Sequence, residues 1–120
     1  MGRLLVHIVT GPENPTRSAL GLLVARSGLA QGHAVDVFLA GDAVGVLRPA
    51  TLDAGQGIGT GSMREHLDAI VAGGATLYAS GLSSRARGLA PEDIGGIPVQ
   101  FAAPDVLIRL TFEADRVLCY

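Results

Sequence analysis

Continuous apolar runs alternate with longer segments of mixed polarity along this chain. RLLVHIVT at residues 3–10 is an apolar run of the kind seen in strands that are covered on both faces, as in parallel sheets. Four further apolar runs follow, separated by segments that carry the capping residues and terminal glycines of helices. The predicted strands are residues 3–10, 34–40, 75–80, 97–102 and 115–120.

The segment after the first strand predicts a long helix over residues 16–31. Asn14 is a candidate N-cap, Pro15 stands where a first helical residue tolerates proline, and Gly32 closes the pattern. This helix is apolar over most of its surface, so we expect a neighbouring subunit to cover part of it.

The other helices are predicted from caps and breakers. Ser62 and Glu65 have capping-box spacing and open a helix over residues 62–74, while Asp42 is a candidate cap for a helix that starts after the second strand. Residues 49–62 contain several glycines and are predicted to be a flexible loop. Further helices are predicted at residues 83–89 and 104–114.

Strands that alternate with helices predict right-handed crossovers and therefore an α/β fold, a three-layer α/β/α domain with a five-stranded parallel sheet. We expect residues 1–120 to form a single domain. In such folds ligands bind beyond the carboxyl ends of the strands. The segments predicted at that edge are Thr10–Asn14, Gly41–Asp42, Ser80–Arg87 and Ala102–Asp105.

The charged residues exclude several functions. The chain has a net charge of −2 and no lysine, which excludes a Walker A motif and a Schiff-base lysine. The nine arginines are scattered rather than gathered in a basic stripe, so we expect no nucleic acid as a partner. No run of about 18–20 apolar residues is present, and the N-terminus is interpreted as a strand rather than a signal peptide. We therefore expect no membrane association and a cytoplasmic location.

Metal and cofactor sites are not expected either. Cys119 is the single cysteine, which excludes an internal disulfide and a cysteine-based metal site. His7, His33 and His66 have no ligand spacing; the first two are interpreted as structural, and His66 is the one to test as an acid or base. The segment GQGIGTG at 55–61 does not fit the dinucleotide fingerprint, and it is interpreted as a mobile loop that covers a pocket or reaches a neighbouring subunit.

Three segments of the chain have a familiar sequence: the N-terminal stretch HIVTGPENPTRSALGLLVARSGLAQGHAVDVFLAGDAVGVL, the central GGATLYASGLSSRARGL and the closing ADRVLCY. Together they resemble the DsrE/DsrF-like family of small sulfur-relay proteins. The resemblance implies a flavodoxin-like fold, a homo-trimer or homo-hexamer, and another sulfur-relay protein as a further partner. It also implies a relay cysteine just after the third strand, with a second one three residues later in some members. Ser80 and Ser83 stand at those positions here.

Ser80 has two interpretations. A serine nucleophile in a G-x-S-x-G elbow would have glycines two residues to each side, but Tyr78 and Leu82 occupy those places. A hydroxyl that caps the following loop or helix is the favoured role.

The segment Ser80–Arg87 is also a candidate anion site. Ser83 or Ser84 would cap the short helix, and Arg85 or Arg87 would bind a phosphate, sulfate or carboxylate. The alternative is a pair of solvated arginines, or a subunit salt bridge to Glu92 or Asp93. The candidate ligand-binding residues are Thr10, Gly11, Asn14, Asp42, Ser80, Ser83, Ser84, Arg85 and Arg87.

Cys119 lies in the last predicted strand, and the favoured interpretation is a buried, inert thiol. The alternative is an exposed thiol that carries sulfur in place of the missing pair. Serine cannot form a persulfide, so the main expectation is a non-catalytic binding or assembly subunit related to sulfur relay. A small-anion or nucleotide-binding module built on Ser80–Arg87, and a sulfurtransferase that works through Cys119, remain the alternatives.

Overall fold

The computed structural model describes residues 1–120. Its centre is a sheet of five strands in which all neighbouring strands are parallel, and a separate antiparallel hairpin lies beside it. The predicted five-stranded parallel sheet is therefore confirmed. The strands are β1 (Arg3–Ile8), β2 (Ala34–Leu39), β3 (Gln56–Gly57), β4 (Gly61–Ser62), β5 (Thr76–Ser80), β6 (Val99–Ala102) and β7 (Arg116–Cys119).

Helices connect the strands of the sheet, and two of them, α1 and α3, start at the caps expected from the sequence. The Arg17 backbone N–H donates to the Asn14 side chain at the start of α1, and the Glu65 N–H donates to Ser62 at the start of α3. None of the helices combines the length and the apolar character needed to cross a bilayer. The helices are α1 (Pro15–Ala30), α2 (Pro49–Ala54), α3 (Met63–Ala72), α4 (Gly81–Ala86) and α5 (Pro104–Glu113), with 3₁₀ helices at Gly41–Leu47 and Pro91–Asp93.

The order of the strands creates a change of direction beside β1. The strands lie in the order β6-β5-β2-β1-β7, so the chain first moves from β1 through β2 and β5 to β6. Helix α5 then crosses back over the sheet and places β7 on the other side of β1. In open α/β sheets the crevice at such a reversal, outside the carboxyl ends of the two strands, is the usual place for a ligand.

Alternation of side chains along the strands divides the core into two unequal parts. On one face Val6, Val37 and Leu77 pack in a cluster of 20 buried residues that includes Leu22 of α1 and Leu67 of α3. This larger cluster also takes in the first 3₁₀ helix and α2.

The opposite face of the sheet is covered by α5 alone. Leu5, Phe38 and Tyr78 form a cluster of five buried residues with Ala102 and with Leu110 of the helix. One helix of ten residues cannot cover five strands, which leaves part of this face open.

Strand β7 is left uncovered at the edge of the sheet. All four of its residues are exposed, although Val117 and Leu118 are apolar. Strands of a parallel sheet are normally buried on both faces, so this strand is an exception within its own sheet.

Two predictions about the segment after β2 are wrong. Residues 49–62 are not a featureless loop but contain α2 and the hairpin of β3 and β4, because Pro49 starts a helix whose Leu52 is buried and Gly59 adopts a positive φ at the turn. Asp42 does not cap a helix. The 3₁₀ helix begins at Gly41 with Ala40 as its N-cap, so Asp42 lies inside the first turn, and the N-cap residue supplies no side-chain capping bond.

Candidate functional site

Several of the residues singled out in the sequence fall into two groups at the carboxyl edge of the sheet. One group, the serine seam, joins the end of β5 to the end of β2. The other, the Cys119 crevice, lies between α1 and the end of β7. The serine seam comprises Gly41, Asp42, Ser80, Ser83 and Arg87; the Cys119 crevice is lined by Asn14, Thr16, Arg17, Leu20, Cys119 and Tyr120.

Ser80 is the N-cap of α4. Its Oγ accepts a hydrogen bond from the Ser83 backbone N–H at 3.1 Å, and the residue is only 8% exposed. The favoured role of Ser80 as a capping hydroxyl is confirmed. The prediction that Ser83 or Ser84 caps this helix is wrong, because the helix begins at Gly81 and both serines lie inside it.

Ser83 joins two loops that are far apart in the sequence. Its Oγ accepts a hydrogen bond from the Gly41 backbone N–H at 2.8 Å, which fixes α4 against the start of the 3₁₀ helix. Ser84 is fully buried, and its Oγ has no hydrogen-bond partner. The two adjacent serines therefore differ: one makes a contact across the seam and the other makes none.

The Arg87 side chain is occupied by neighbours within the seam. Its Nη2 lies 2.9 Å from Oδ1 of Asp42, and its Nη1 donates to the Ser83 carbonyl at 3.1 Å. Asp42 is the second residue of the 3₁₀ helix rather than its N-cap, and its carboxylate pairs with Arg87. Glu92 and Asp93 take no part in it.

The loop after β1 is closed against the same region. A Cβ on Gly11 would overlap the carbonyl oxygen of Asp42, so only glycine allows the two backbones to come this close. The Ser18 hydroxyl donates to the Thr10 and Gly11 carbonyls, at 2.8 and 2.7 Å, and the Gly11 N–H donates to the Glu13 side chain at 2.7 Å. The Gly11 N–H and the Thr10 and Gly11 carbonyls are therefore bonded to side chains of Glu13 and Ser18.

Arg85 lies apart from the seam. It lines a separate cleft of about 270 Å³ beside Phe101 and Pro104, and it forms no ion pair. The predicted anion site on Ser80–Arg87 therefore has its two arginines in different places. That site stays a prediction, and Arg85 is its one arginine without an acidic partner.

Cys119 is exposed, which corrects the favoured interpretation of a buried thiol. The cause is the position of β7, an edge strand that neither α1 nor α5 covers. The crevice beside it has a volume of about 480 Å³ and lies outside the carboxyl ends of β1 and β7, where the chain reverses direction. Arg17 is its one charged side chain and has no ion-pair partner.

The histidines have different surroundings. His7 is in register with Cys119 on the neighbouring strand; its Nε2 is buried without a hydrogen-bond partner, and burial lowers the pKa of the ring. His33 accepts a hydrogen bond from the Gly2 N–H. His66, the proposed acid or base, lies in neither the serine seam nor the Cys119 crevice, and its ring contacts the carbonyl of Thr60. No group of three metal-ligating side chains is present.

Sequence reasoning missed most of the Cys119 crevice. Arg17, Leu20 and Tyr120 line it, but nothing in their local patterns marks them as neighbours of a thiol. Their proximity follows from the return of β7 to the side of β1, and the strand order was not predicted.

Comparisons with known proteins agree with this architecture. The family model described as DsrE/DsrF-like family matches residues 3–120. Among solved structures, the ychN protein from E. coli is similar with a TM-score of 0.81 and 20% identity, covering 100% of both chains. MTH1491, a protein of unknown function from Methanobacterium thermoautotrophicum, is similar with a TM-score of 0.75 and 18% identity, also over 100% of both chains. The structural similarity to these two proteins, at identities of 18–20%, shows the fold alone. No curated protein matches the chain.

Proposed function

Because the chain belongs to the DsrE/DsrF-like family, we propose that it is a binding and assembly subunit of cytoplasmic sulfur relay that carries no sulfur at the end of β5. One observation carries the proposal. The hydroxyls of Ser80 and Ser83, at the two positions that the resemblance assigns to relay cysteines, both accept hydrogen bonds from backbone amides.

The chemistry of serine supports this assignment. A relay cysteine works as a thiolate that holds a sulfane sulfur, whereas a serine hydroxyl does not ionise at neutral pH and does not form a persulfide. The seam also lacks a base within hydrogen-bond distance of either hydroxyl: both oxygens bond only to backbone N–H groups. The two hydroxyls therefore have a structural role: that of Ser80 caps α4, and that of Ser83 holds this helix against the start of the 3₁₀ helix.

The exposed edge of the sheet supports an assembly role. Val117 and Leu118 are 37% and 41% exposed on β7, and Leu20 of α1, which lines the Cys119 crevice, is 37% exposed. Apolar surface of this kind is stabilised when a second protein covers it. We propose a homo-trimer or homo-hexamer, with another sulfur-relay protein as a further partner.

Native mass spectrometry of the chain at micromolar concentration tests the assembly. The expected result is a trimer or a hexamer that dissociates when Leu118 is replaced by Arg. Val9→Arg is a matched control, because Val9 is also an exposed apolar residue, at 49%, but lies outside β7. A monomer in the wild type would overturn the assembly proposal.

Cys119 supports a second candidate function, because its thiol is exposed beside an unpaired arginine. In this candidate the Cys119 thiolate attacks the outer sulfur of a persulfide R–S–SH. A new S–S bond forms on the protein, the S–S bond of the donor breaks, and the thiolate RS⁻ leaves, so no oxidant or reductant is needed.

Intact mass after incubation with glutathione persulfide tests this candidate. Gain of one sulfur atom by the wild type but not by Cys119→Ser would establish a carrier at the crevice. No gain in either protein would leave the binding and assembly subunit as the function. The double variant Ser80→Cys/Cys119→Ser shows separately whether the family position accepts sulfur when it regains a thiol.

A further inference from the structure

The hairpin formed by residues 56–62 lies across α1 as a strap. The Ile58 N–H donates to Thr16 Oγ1 at 3.0 Å, and the Thr60 hydroxyl donates to the Thr16 carbonyl at 3.1 Å. Gly57 packs so closely that a Cβ there would press against Ala19 and the Thr16 backbone. Thr16 also lines the Cys119 crevice, so the strap supports one wall of it.

His66 of α3 anchors this strap from the other side. The residue is 6% exposed, and its Nε2 lies 2.6 Å from the carbonyl oxygen of Thr60. Its Nδ1 lies 3.3 Å from Nη1 of Arg26 on α1. A carbonyl oxygen only accepts and a guanidinium only donates, so Nε2 carries the hydrogen and Nδ1 is the acceptor. These two partners select one neutral tautomer of the ring.

We propose that His66 is a proton-operated latch for the strap. A proton on Nδ1 removes the acceptor used by Arg26 and brings two cations together, so the ring loses its place between α1 and the hairpin. The Thr60 carbonyl then loses its partner, and the strap separates from Thr16. Release of the strap uncovers α1 and the adjoining wall of the Cys119 crevice.

The surrounding charges leave this repulsion without compensation. Arg26 is the charged group that α1 directs at the ring, and the hairpin itself contains no charged residue. On α3, Arg64 is already paired with Asp53 of α2 and with Asp68. Glu65 follows on the same helix and is exposed to solvent, where its charge is screened.

Nuclear magnetic resonance of the full chain between pH 7.5 and 5.5 tests the latch, since imidazoles change charge in about this range. The amide signals of Ile58 and Gly61 should move toward unstructured positions as the pH is lowered. The strap should open roughly tenfold more often, in line with the loss of one or two hydrogen bonds. Amide signals of β2 serve as an internal control and should not move.

Two variants separate the latch from general effects of acid. In Arg26→Gln the amide can accept a hydrogen bond from protonated Nδ1, so the strap should stay closed at pH 5.5. In His66→Gln the side chain can still donate to Thr60 but does not titrate, so the pH response of the strap should vanish. Strap signals that stay fixed between pH 7.5 and 5.5, or an equal response in His66→Gln, would overturn the proposal. If His66→Gln does not fold, Arg26→Gln is sufficient by itself: strap signals that move with pH as in the wild type would overturn the proposal.

Discussion

The serine seam and the Cys119 crevice occupy the same edge of one sheet, the seam at the ends of β5 and β2 and the crevice at the ends of β1 and β7, yet they differ in how their polar groups are bonded and exposed. In the seam, Ser80 and Ser83 are bonded to backbone amides, and the loops touch without a gap. In the crevice a thiol and an arginine face solvent without partners.

The difference arises from the position of each strand in the sheet. Strand β5 has strands on both sides and helices packed near its end, so polar groups at that end must satisfy one another. Strand β7 is an edge strand that no helix covers, and the reversal of direction beside β1 keeps the loops apart. At the end of an interior strand, the residue type therefore decides whether a reactive group is present, because neighbouring groups are bonded to one another. At the end of an edge strand, the strand order decides whether the group is exposed to solvent.

The strongest test of this contrast is to force the seam apart. In Gly11→Ala the new Cβ overlaps the Asp42 carbonyl, and we expect the free energy of unfolding to fall by about 3 kcal/mol, as in other overpacked sites. Urea denaturation measures the change. Gly45→Ala is the control, because a Cβ there meets only Pro12 at 3.7 Å; it should stay within about 0.5 kcal/mol of the wild type. Equal losses in the two variants would mean that the close approach at Gly11 has no special role.

A smaller loss is expected when one hydrogen bond of the seam is removed. Ser83→Ala leaves the Gly41 N–H without its partner, and the free energy of unfolding should fall by about 1 kcal/mol. Ser84→Ala removes a buried hydroxyl that has no partner and should leave stability unchanged or raise it. Calorimetry or urea denaturation of the two variants measures these changes in the free energy of unfolding. A larger loss in Ser84→Ala would contradict the assignment of Ser83 as the contact across the seam.

The helix starts and the bond made by Ser83 show which parts of the fold and of the site can be predicted from the sequence. The caps of α1 and α3 depend on residues three positions apart, so they could be predicted. The start of α4 could not, because Gly81 has a poor helix propensity and conceals the first turn. The bond between Ser83 and Gly41 joins residues 42 positions apart and depends on tertiary packing.

The exposure of Cys119 could not be predicted from the local sequence either, for a different reason. An apolar closing strand is typical of a buried position, and VLC fits that pattern. Whether such a strand lies in the middle or at the edge depends on the direction in which α5 crosses the sheet, and residue periodicity carries no information about that direction.

Moving the thiol from one region to the other sharpens the comparison. The Cys119 thiol of the wild type should react with N-ethylmaleimide about tenfold faster than the single thiol of Ser80→Cys/Cys119→Ser, because position 80 is 8% exposed and bonded within the helix cap. Rates measured on the folded proteins, with the denatured proteins as the reference, separate exposure from intrinsic reactivity. Similar rates would mean that the seam opens freely in solution.

The smallest expected effect on stability concerns the ion pair that closes the outer side of the seam. Arg87 and Asp42 are 37% and 59% exposed in their side chains, so Arg87→Gln should lower the free energy of unfolding by only about 0.5 kcal/mol. Urea denaturation measures this change.

The same ion pair decides whether the seam can bind an anion, because Asp42 already neutralises Arg87. Asp42→Asn should free the guanidinium and allow sulfate to raise the melting temperature, whereas the wild type should not respond. Arg85→Gln is the matched control, since Arg85 lies in the separate cleft beside Phe101. Stabilisation of the wild type by sulfate that Arg87→Gln abolishes and Arg85→Gln preserves would establish an anion site in the seam, and the contrast between a closed and an open region would then fail.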